Sequence, residues 1–185
     1  MSILKVARMG HPVLRTRARA LDRRDVKSPE VQKLIDDMVE TMREYHGVGL
    51  AAPQVHESVR LFVAALAARP SELEEAGEER EPEALVLINP EITVVDAETI
   101  EDWEGCLSIP DIRGRVPRAK EVKVRALDRR GERVEFRARG FPARVVQHEY
   151  DHLDGVLFFD RMRAFESLTF LDEYARYWAK DDDDR

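Results

Sequence analysis

Residues 142–155 read PARVVQHEYDHLDG, and they carry the strongest structural signal in the chain. Pro142 favours the first turn of a helix, and Gly155 is typical of the residue just beyond a helix end. The stretch therefore predicts a helix from Pro142 to about Leu153. The rest of the fold must provide an apolar surface against which this helix packs.

Two histidines in this predicted helix have the spacing of a metal site. His148 and His152 are four residues apart, so both project from one face and can hold one metal ion. Glu149 lies beside them, and Val145 on the same face is expected to line a pocket. The alternative is a surface helix with two solvated histidines. A catalytic metal site would also need a third protein ligand and an open position for water.

Outside this helix the sequence predicts an earlier helix, several short strands and a closing helix. Ser28 and Pro29 favour a helix start, and apolar residues then recur at helical spacing up to a stop at Gly47. The β-prone runs are residues 59–66, 85–88, 92–95, 122–127 and 134–136. The last two are expected to form a hairpin that turns through residues 128–131. Residues 165–178 predict a closing helix with an aromatic face.

This order of elements favours an α+β domain in which short antiparallel β-sheets pack around the helix with the HExxH motif. A single domain over residues 1–185 accounts for a chain of this length. Residues 69–82 are acidic and poor in apolar side chains, so we expect an exposed loop or a frayed helix there.

Composition and charge argue against several classes of protein. The chain is 43% hydrophobic and 36% charged, and its formal net charge is -7. This acidic balance does not favour non-specific attraction to nucleic acid. The opening residues lack the apolar run of a signal peptide, and no stretch approaches the roughly 20 apolar residues of a membrane span. We therefore expect an intracellular protein with no membrane segment and no specific nucleic-acid partner.

The only cysteine, Cys106, lies in residues 104–110, which read EGCLSIP. One cysteine cannot form an intramolecular disulfide. Cys106 is therefore either a candidate metal ligand or a small buried hydrophobic residue. Acidic residues and three other histidines are alternative third ligands, and the residues alone leave this choice open. These histidines are His11, His46 and His56.

A third segment, residues 47–54, reads GVGLAAPQ. Gly47 and Gly49 permit close approach of a ligand backbone, and the Gln54 amide can donate a hydrogen bond. The alternative is that the glycine pair only forms the C-terminal turn of the preceding helix.

Together these three segments resemble the peptide deformylase family, whose hallmark blocks read GxGLAAPQ, EGCLS and HExDH. All three blocks occur here intact and in order. The flanking pieces that also resemble the family are residues 10–15, 116–118, 147 and 153–155. The resemblance covers nearly the whole chain to about Arg161. It implies a metal-dependent hydrolase that removes the N-formyl group from the formylmethionine of newly synthesised proteins and releases formate.

The resemblance also implies a role for each motif residue. The metal ligands are Cys106, His148 and His152. The catalytic residues are Glu149, which exchanges protons with water and the departing amine, and two oxyanion donors, the Gln54 side chain and the Leu107 backbone N–H. The substrate-binding residues are Val48, Gly49, Arg113 and Val145, and the methionine side chain is expected between the aliphatic ones.

The same resemblance sets expectations for cofactor, partners and location. We expect Fe(II) as the native ion, with Zn(II) or Ni(II) in the isolated protein, because a thiolate and imidazole site accepts all three. The partners are N-formylmethionyl nascent peptides, and ribosome proximity follows from the family alone. Some members dock through a basic C-terminal helix, but this C-terminal end is aromatic and acidic. The expected location is the bacterial cytoplasm, with a mature organellar form as the alternative.

Two other functions remain open from the sequence. A general HExxH metalloprotease would cleave internal peptide bonds and usually has a histidine or glutamate as third ligand. A catalytically silent metal-binding module should have lost Glu149, Gln54 or a ligand, and none is missing.

Overall fold

The computed structural model describes residues 2–66 and 84–179, so the acidic stretch 69–82 lies outside the described residues. The helices are α1 (Pro29–Glu44), α2 (Phe141–Leu153) and α3 (Leu171–Tyr177). The strands are β1 (Gly49–Ala51), β2 (Leu61–Ala64), β3 (Leu85–Cys106), β4 (Ile109–Leu127), β5 (Arg133–Arg139) and β6 (Thr169–Phe170). These elements form the predicted α+β fold. Within the described ranges, none of the helices combines the length and the apolar character needed to cross a bilayer.

Helix α1 begins at the predicted residue. The Ser28 hydroxyl accepts a hydrogen bond from the Val31 backbone N–H at 3.3 Å, and Pro29 occupies the first turn. The helix ends before the predicted stop at Gly47, because His46 already takes a left-handed conformation with φ of 52°.

The strands form a six-stranded antiparallel sheet in the order β1-β2-β3-β4-β5, and β6 pairs with β4. Two predicted runs, residues 85–88 and 92–95, are both part of the long strand β3. A register shift between Ile88 and Glu91 interrupts the alternation there, so the sequence pattern predicts two strands where the structure has one. β3 and β4 together form one long hairpin, and its tip carries Cys106.

The β4–β5 hairpin confirms the predicted turn through residues 128–131. The Asp128 backbone N–H donates to the Glu132 carbonyl at 2.9 Å, which closes the turn. Register pairs then run from Leu127 with Arg133 to Glu121 with Arg139.

Helix α2 lies against the sheet with its apolar face inward. Val145 and Leu153 are buried in one core cluster with Phe62 of β2 and Val122 of β4. The helix stops before Gly155, where φ is 73° and an added Cβ would lie 2.7 Å from the Arg15 backbone. The packing of its apolar face and the helix end before Gly155 fix the position of α2 against β1 and β4.

The predicted closing helix over residues 165–178 is wrong in extent. Within this range Thr169 and Phe170 form β6, whose backbone pairs with β4, and only α3 is an α-helix. The predicted aromatic contact with the body is present. The Trp103 ring lies 5.0 Å from the Tyr174 ring and 5.9 Å from the Trp178 ring, between centroids.

Candidate metal centre

The hairpin tip and helix α2 bring three ligand atoms together. The Cys106 sulfur and one ring nitrogen from each of His148 and His152 all lie within 4.8 Å of one another. The Cys106 Sγ is 3.3 Å from the His152 Nε2. One thiolate and two imidazoles suit a divalent transition metal with three protein ligands and a position left for water. The residues present therefore fit the metal that the motifs imply.

A buried carboxylate orients the first histidine. The Glu104 Oε2 lies 2.9 Å from the His148 Nδ1, and Glu104 is only 5% exposed. Burial alone would raise the pKa of Glu104, but hydrogen bonds from Arg118 and His148 outweigh it and hold that pKa well below its ordinary value. An ionised carboxylate only accepts, so the His148 Nδ1 carries a hydrogen. Burial alone would lower the pKa of His148, but hydrogen bonds to Cys106 and Glu104 raise it, so a metal would bind the Nε2 in place of a proton.

The same carboxylate belongs to a buried network of charges. The Arg118 Nε and Nη2 donate to Glu104 at 2.8 and 3.0 Å, and the Arg144 Nη1 donates to it at 2.8 Å. The Arg118 Nη1 also donates to Asp151 at 2.6 Å, and Arg161 closes the chain with two bonds to Asp151. These ion pairs tie β3 and β4 to α2, and they stabilise the approach of Cys106 to the two histidines.

The sequence motifs predict no role for Glu104, Arg118 or Asp151. Glu104 had a usable signal, because residues two apart in a strand share a face and Cys106 was already a candidate ligand. A surface depression of about 280 Å³ borders Arg118, Asp151 and Arg161. It is not the reaction site, because its charged groups already pair with one another and the three ligands do not line it.

Two other buried titratable residues of the site, His152 and Glu149, have pKa values that are shifted in opposite directions. Burial lowers the pKa of His152, and the positive charges of His148 and Arg118 lower it further, so His152 is neutral as a ligand must be. Burial raises the pKa of Glu149 to about 7, although the His148 charge opposes this. Glu149 is 4% exposed, and its Oε2 has no hydrogen-bond partner among the described residues. A carboxyl group with a near-neutral pKa can both take and give a proton.

Gln54 points its amide donor at the ligands. Its Oε1 accepts from the Ala51 backbone N–H at 2.8 Å, which fixes the orientation of the amide. The Nε2 then lies 3.5 Å from the Cys106 Sγ and 3.3 Å from the Ser108 Oγ. Leu107 is part of the turn between Cys106 and Ser108, so its backbone lies at the same edge of the site.

Three of the four predicted substrate-binding residues lie together. Val48 and Val145 contribute to one apolar cluster, and Gly49 lies in β1, which packs against α2. Among the described strands β1 pairs only with β2, so no strand pairs with its other edge. Arg113 is separate: its guanidinium lies over the Tyr174 ring of α3, 5.0 Å from the centroid.

The alternative histidine ligands do not join the site. His11 and His56 are exposed and contact each other, with ring centroids 4.7 Å apart. His46 is also exposed, at the end of α1.

Comparison with known proteins identifies a family that has this arrangement of motifs. A family model described as polypeptide deformylase matches residues 3–167. Peptide deformylase 2 of Nostoc sp. is 41% identical over 172 residues, which are 93% of each chain. A peptide deformylase of Salinibacter ruber is 45% identical over 163 residues, which are 88% of this chain and 82% of that protein.

Solved structures agree with these sequence matches. A crystal structure of a class I type b peptide deformylase from Acinetobacter baumannii, described as bound to Met-Ala-Ser, superposes with a TM-score of 0.79. It is 44% identical, and the match covers 88% of this chain and 100% of that one. Helix α3 lies beyond the residues that the family model matches.

Proposed function

The chain belongs to the polypeptide deformylase family, and from that premise we propose how its own residues carry out the family's reaction. This reaction is the metal-dependent hydrolysis that removes the N-formyl group from the N-terminal formylmethionine of newly synthesised proteins and releases formate. One observation carries the assignment: Cys106, His148 and His152 meet within 4.8 Å. The general protease and the silent binding module of the sequence analysis are set aside by the family membership.

A divalent metal would be held by the Cys106 thiolate and the two imidazoles of α2. When bound, a divalent ion polarises the formyl carbonyl and lowers the pKa of a water molecule. Glu104 keeps the His148 ring in the orientation that presents the Nε2, and partners of this kind typically change metal affinity by about 10–100-fold.

Glu149 is the proton-transfer residue. It takes a proton from the attacking water and later gives it to the departing amine of the methionyl peptide. Burial raises its pKa towards neutrality, which supports both steps, because a group that titrates near the working pH is effective as base and as acid.

Two donors stabilise the negative charge that develops on the formyl oxygen. The Gln54 Nε2 is directed to the site by the bond between the Gln54 Oε1 and the Ala51 N–H. The Leu107 backbone N–H at the hairpin tip is the second donor. Donors fixed before the reaction stabilise the transition state more than the bound substrate.

The substrate is an extended peptide whose first residue is formylmethionine. Its backbone pairs at Gly49 with the edge of β1 that no described strand occupies, and its methionine side chain packs between Val48 and Val145. Arg113 contacts the peptide further along. The Acinetobacter baumannii relative is described with a bound peptide that starts with methionine, which supports this choice. A formyl carbon bears only hydrogen, so a crowded site rejects acetyl groups by steric clash.

A substrate panel tests this function. The purified metal-loaded protein should release formate from a formylmethionyl tripeptide, and leave the acetylated tripeptide and casein intact. Cleavage of casein without formate release would reverse the conclusion in favour of a general metalloprotease.

We expect Gln54→Ala to lower kcat by about a hundredfold or more while KM and metal content stay near those of the unchanged protein. The reason is that an oxyanion donor acts on the transition state rather than on the bound substrate. Steady-state kinetics and metal analysis measure both effects.

Gln32→Ala provides the matched control, because Gln32 bonds to Val26 and Arg129, away from the site, and its loss should leave kcat unchanged. A rise in KM with unchanged kcat in the Gln54 variant would instead make Gln54 a substrate-positioning residue.

We also propose Fe(II) as the working metal. The metal-free protein loaded with Fe(II) should turn over faster than the zinc form and lose activity in air, because iron and its bound thiolate are both oxidisable. Zinc does no redox chemistry, so the zinc form should keep its activity. Formate release is followed over hours with and without oxygen, using Fe(II), Ni(II) and Zn(II). An air-stable iron form no faster than the zinc form would assign zinc instead.

We place this activity where formylated chains are made, in the bacterial cytoplasm, with the interior of an organelle as the second location. The charge of the last helix among the described residues does not support ribosome contact through a basic helix. The described part of the C-terminal end, helix α3, contains Asp172, Glu173 and one arginine, Arg176.

A further inference from the structure

The glycine of β1 that faces α2 has no room for a side chain. A Cβ built on Gly49 would lie 2.7 Å from the Glu149 Cδ and 2.8 Å from its Cγ, and still closer to its Oε1. Real Cβ atoms essentially never come within 3.0 Å of such neighbours. Gly49 does not have a positive φ, so its backbone conformation would accept any residue. The reason for glycine here is therefore the volume that Glu149 occupies.

Neither element can move away to relieve such a clash. β1 is fixed by its register with β2, in which Gly49 pairs with Ala64, and Leu50 beside it is fully buried. Glu149 lies on the buried face of α2, which the core cluster holds against the sheet. A side chain at position 49 would therefore displace the Glu149 carboxylate rather than the backbone.

The carboxylate depends on this contact for its position. Its Oε2 has no hydrogen-bond partner among the described residues, so hydrogen bonding alone does not define where it lies. The bare Cα of Gly49 forms one wall of the space that holds it. A proton-transfer group must stay within hydrogen-bond reach of the reacting water, and a displacement of about 1 Å can cost about a hundredfold in rate.

We propose that Gly49 is a positioning residue for Glu149, and that its missing side chain leaves the space in which the carboxylate is held for proton transfer. This inference rests on the proposed role of Glu149. It is distinct from the expected contact between Gly49 and the substrate backbone, because it concerns the side of Gly49 that faces α2.

A stability cycle tests the steric part without any assay of activity. Gly49→Ala should lower the melting temperature of the metal-loaded protein by several degrees, on the order of 3–8 °C. In the Glu149→Ala background the same change should lower it by less than about 2 °C, because the three atoms nearest to the added methyl group have been removed. Equal losses in both backgrounds would overturn the proposal.

Gly105→Ala is the matched control, since its added methyl group would meet no atom closer than 3.6 Å. It adds the same atoms to another strand glycine, and we expect the melting temperature not to change. A loss in this control equal to that of Gly49→Ala would show a general effect of methyl groups in these strands and overturn the proposal.

The kinetic arm separates positioning from substrate binding. Gly49→Ala should lower kcat by about a hundredfold, and KM and metal content should stay within about twofold, because uniform binding is unaffected. A raised KM with unchanged kcat would assign Gly49 to the substrate alone and overturn the proposal. If the unchanged protein released no formate, the proposed function would fail, whereas the stability cycle would still decide whether Gly49 makes room for Glu149.

Discussion

Replacing Cys106 with serine should remove the bound metal and the formate-releasing activity together. Cys106 is the only soft side chain among the three candidate ligands, and its sulfur lies 3.3 Å from the His152 Nε2. A serine hydroxyl does not ionise near neutral pH, so the variant keeps two imidazoles and loses the anionic ligand. Changes in residues that only support a ligand cost about 10–100-fold in metal affinity, so loss of the ligand itself should exceed about a hundredfold.

Metal analysis after dialysis and a formate-release assay on the same sample measure this result. His56→Ala is the control, because His56 is an exposed histidine that contacts only His11 among the rings and takes no part in the site. It should keep both metal and turnover. Full occupancy with unchanged turnover in the Cys106 variant would remove this residue from the ligand set and reopen the choice among acidic residues.

Much of this site could be predicted because its parts are local in sequence. The candidate ligands His148 and His152 lie on one helix face, and spacing alone places them together. Cys106 is different: its contact with His152 spans 46 residues, and only the three co-occurring motifs indicated it. Local periodicity predicted the helices α1 and α2 for the same reason, because each one has its start, spacing and stop within one stretch of chain.

The rest of the site depends on long-range register. Glu104 meets Arg118 only because β3 and β4 pair along a hairpin with several register shifts, which no local pattern specifies. The contact between Gly49 and Glu149 likewise joins an edge strand to a helix about a hundred residues later. A glycine in a turn-like sequence does not predict such a contact. Strand β6 was not predicted, because its backbone pairing with β4, and not its own composition, makes it a strand.

Glu149→Gln should have the largest effect of any change that leaves the metal in place. Glutamine has nearly the same shape, so the space beside Gly49 stays filled and the fold is undisturbed. It cannot take a proton from water, however, and positioned proton transfer contributes about 10²–10⁴-fold. We therefore expect kcat/KM to fall by about a thousandfold or more, with unchanged metal content.

Two further measurements distinguish this loss of proton transfer from structural damage. Rate should rise with pH in the unchanged protein as Glu149 ionises, because only the carboxylate accepts a proton, and this acidic limb should be absent from the residual activity of the variant.

The melting temperature should stay the same or rise, because a buried carboxyl group whose Oε2 lacks a described partner is replaced by an amide that carries no charge. Glu132→Gln, at an exposed turn residue, is the matched control and should alter none of these quantities. If the Glu149 variant kept a tenth of the original kcat/KM with the same acidic limb, another group would be transferring the proton. Gly49 would then position a side chain that the reaction does not use.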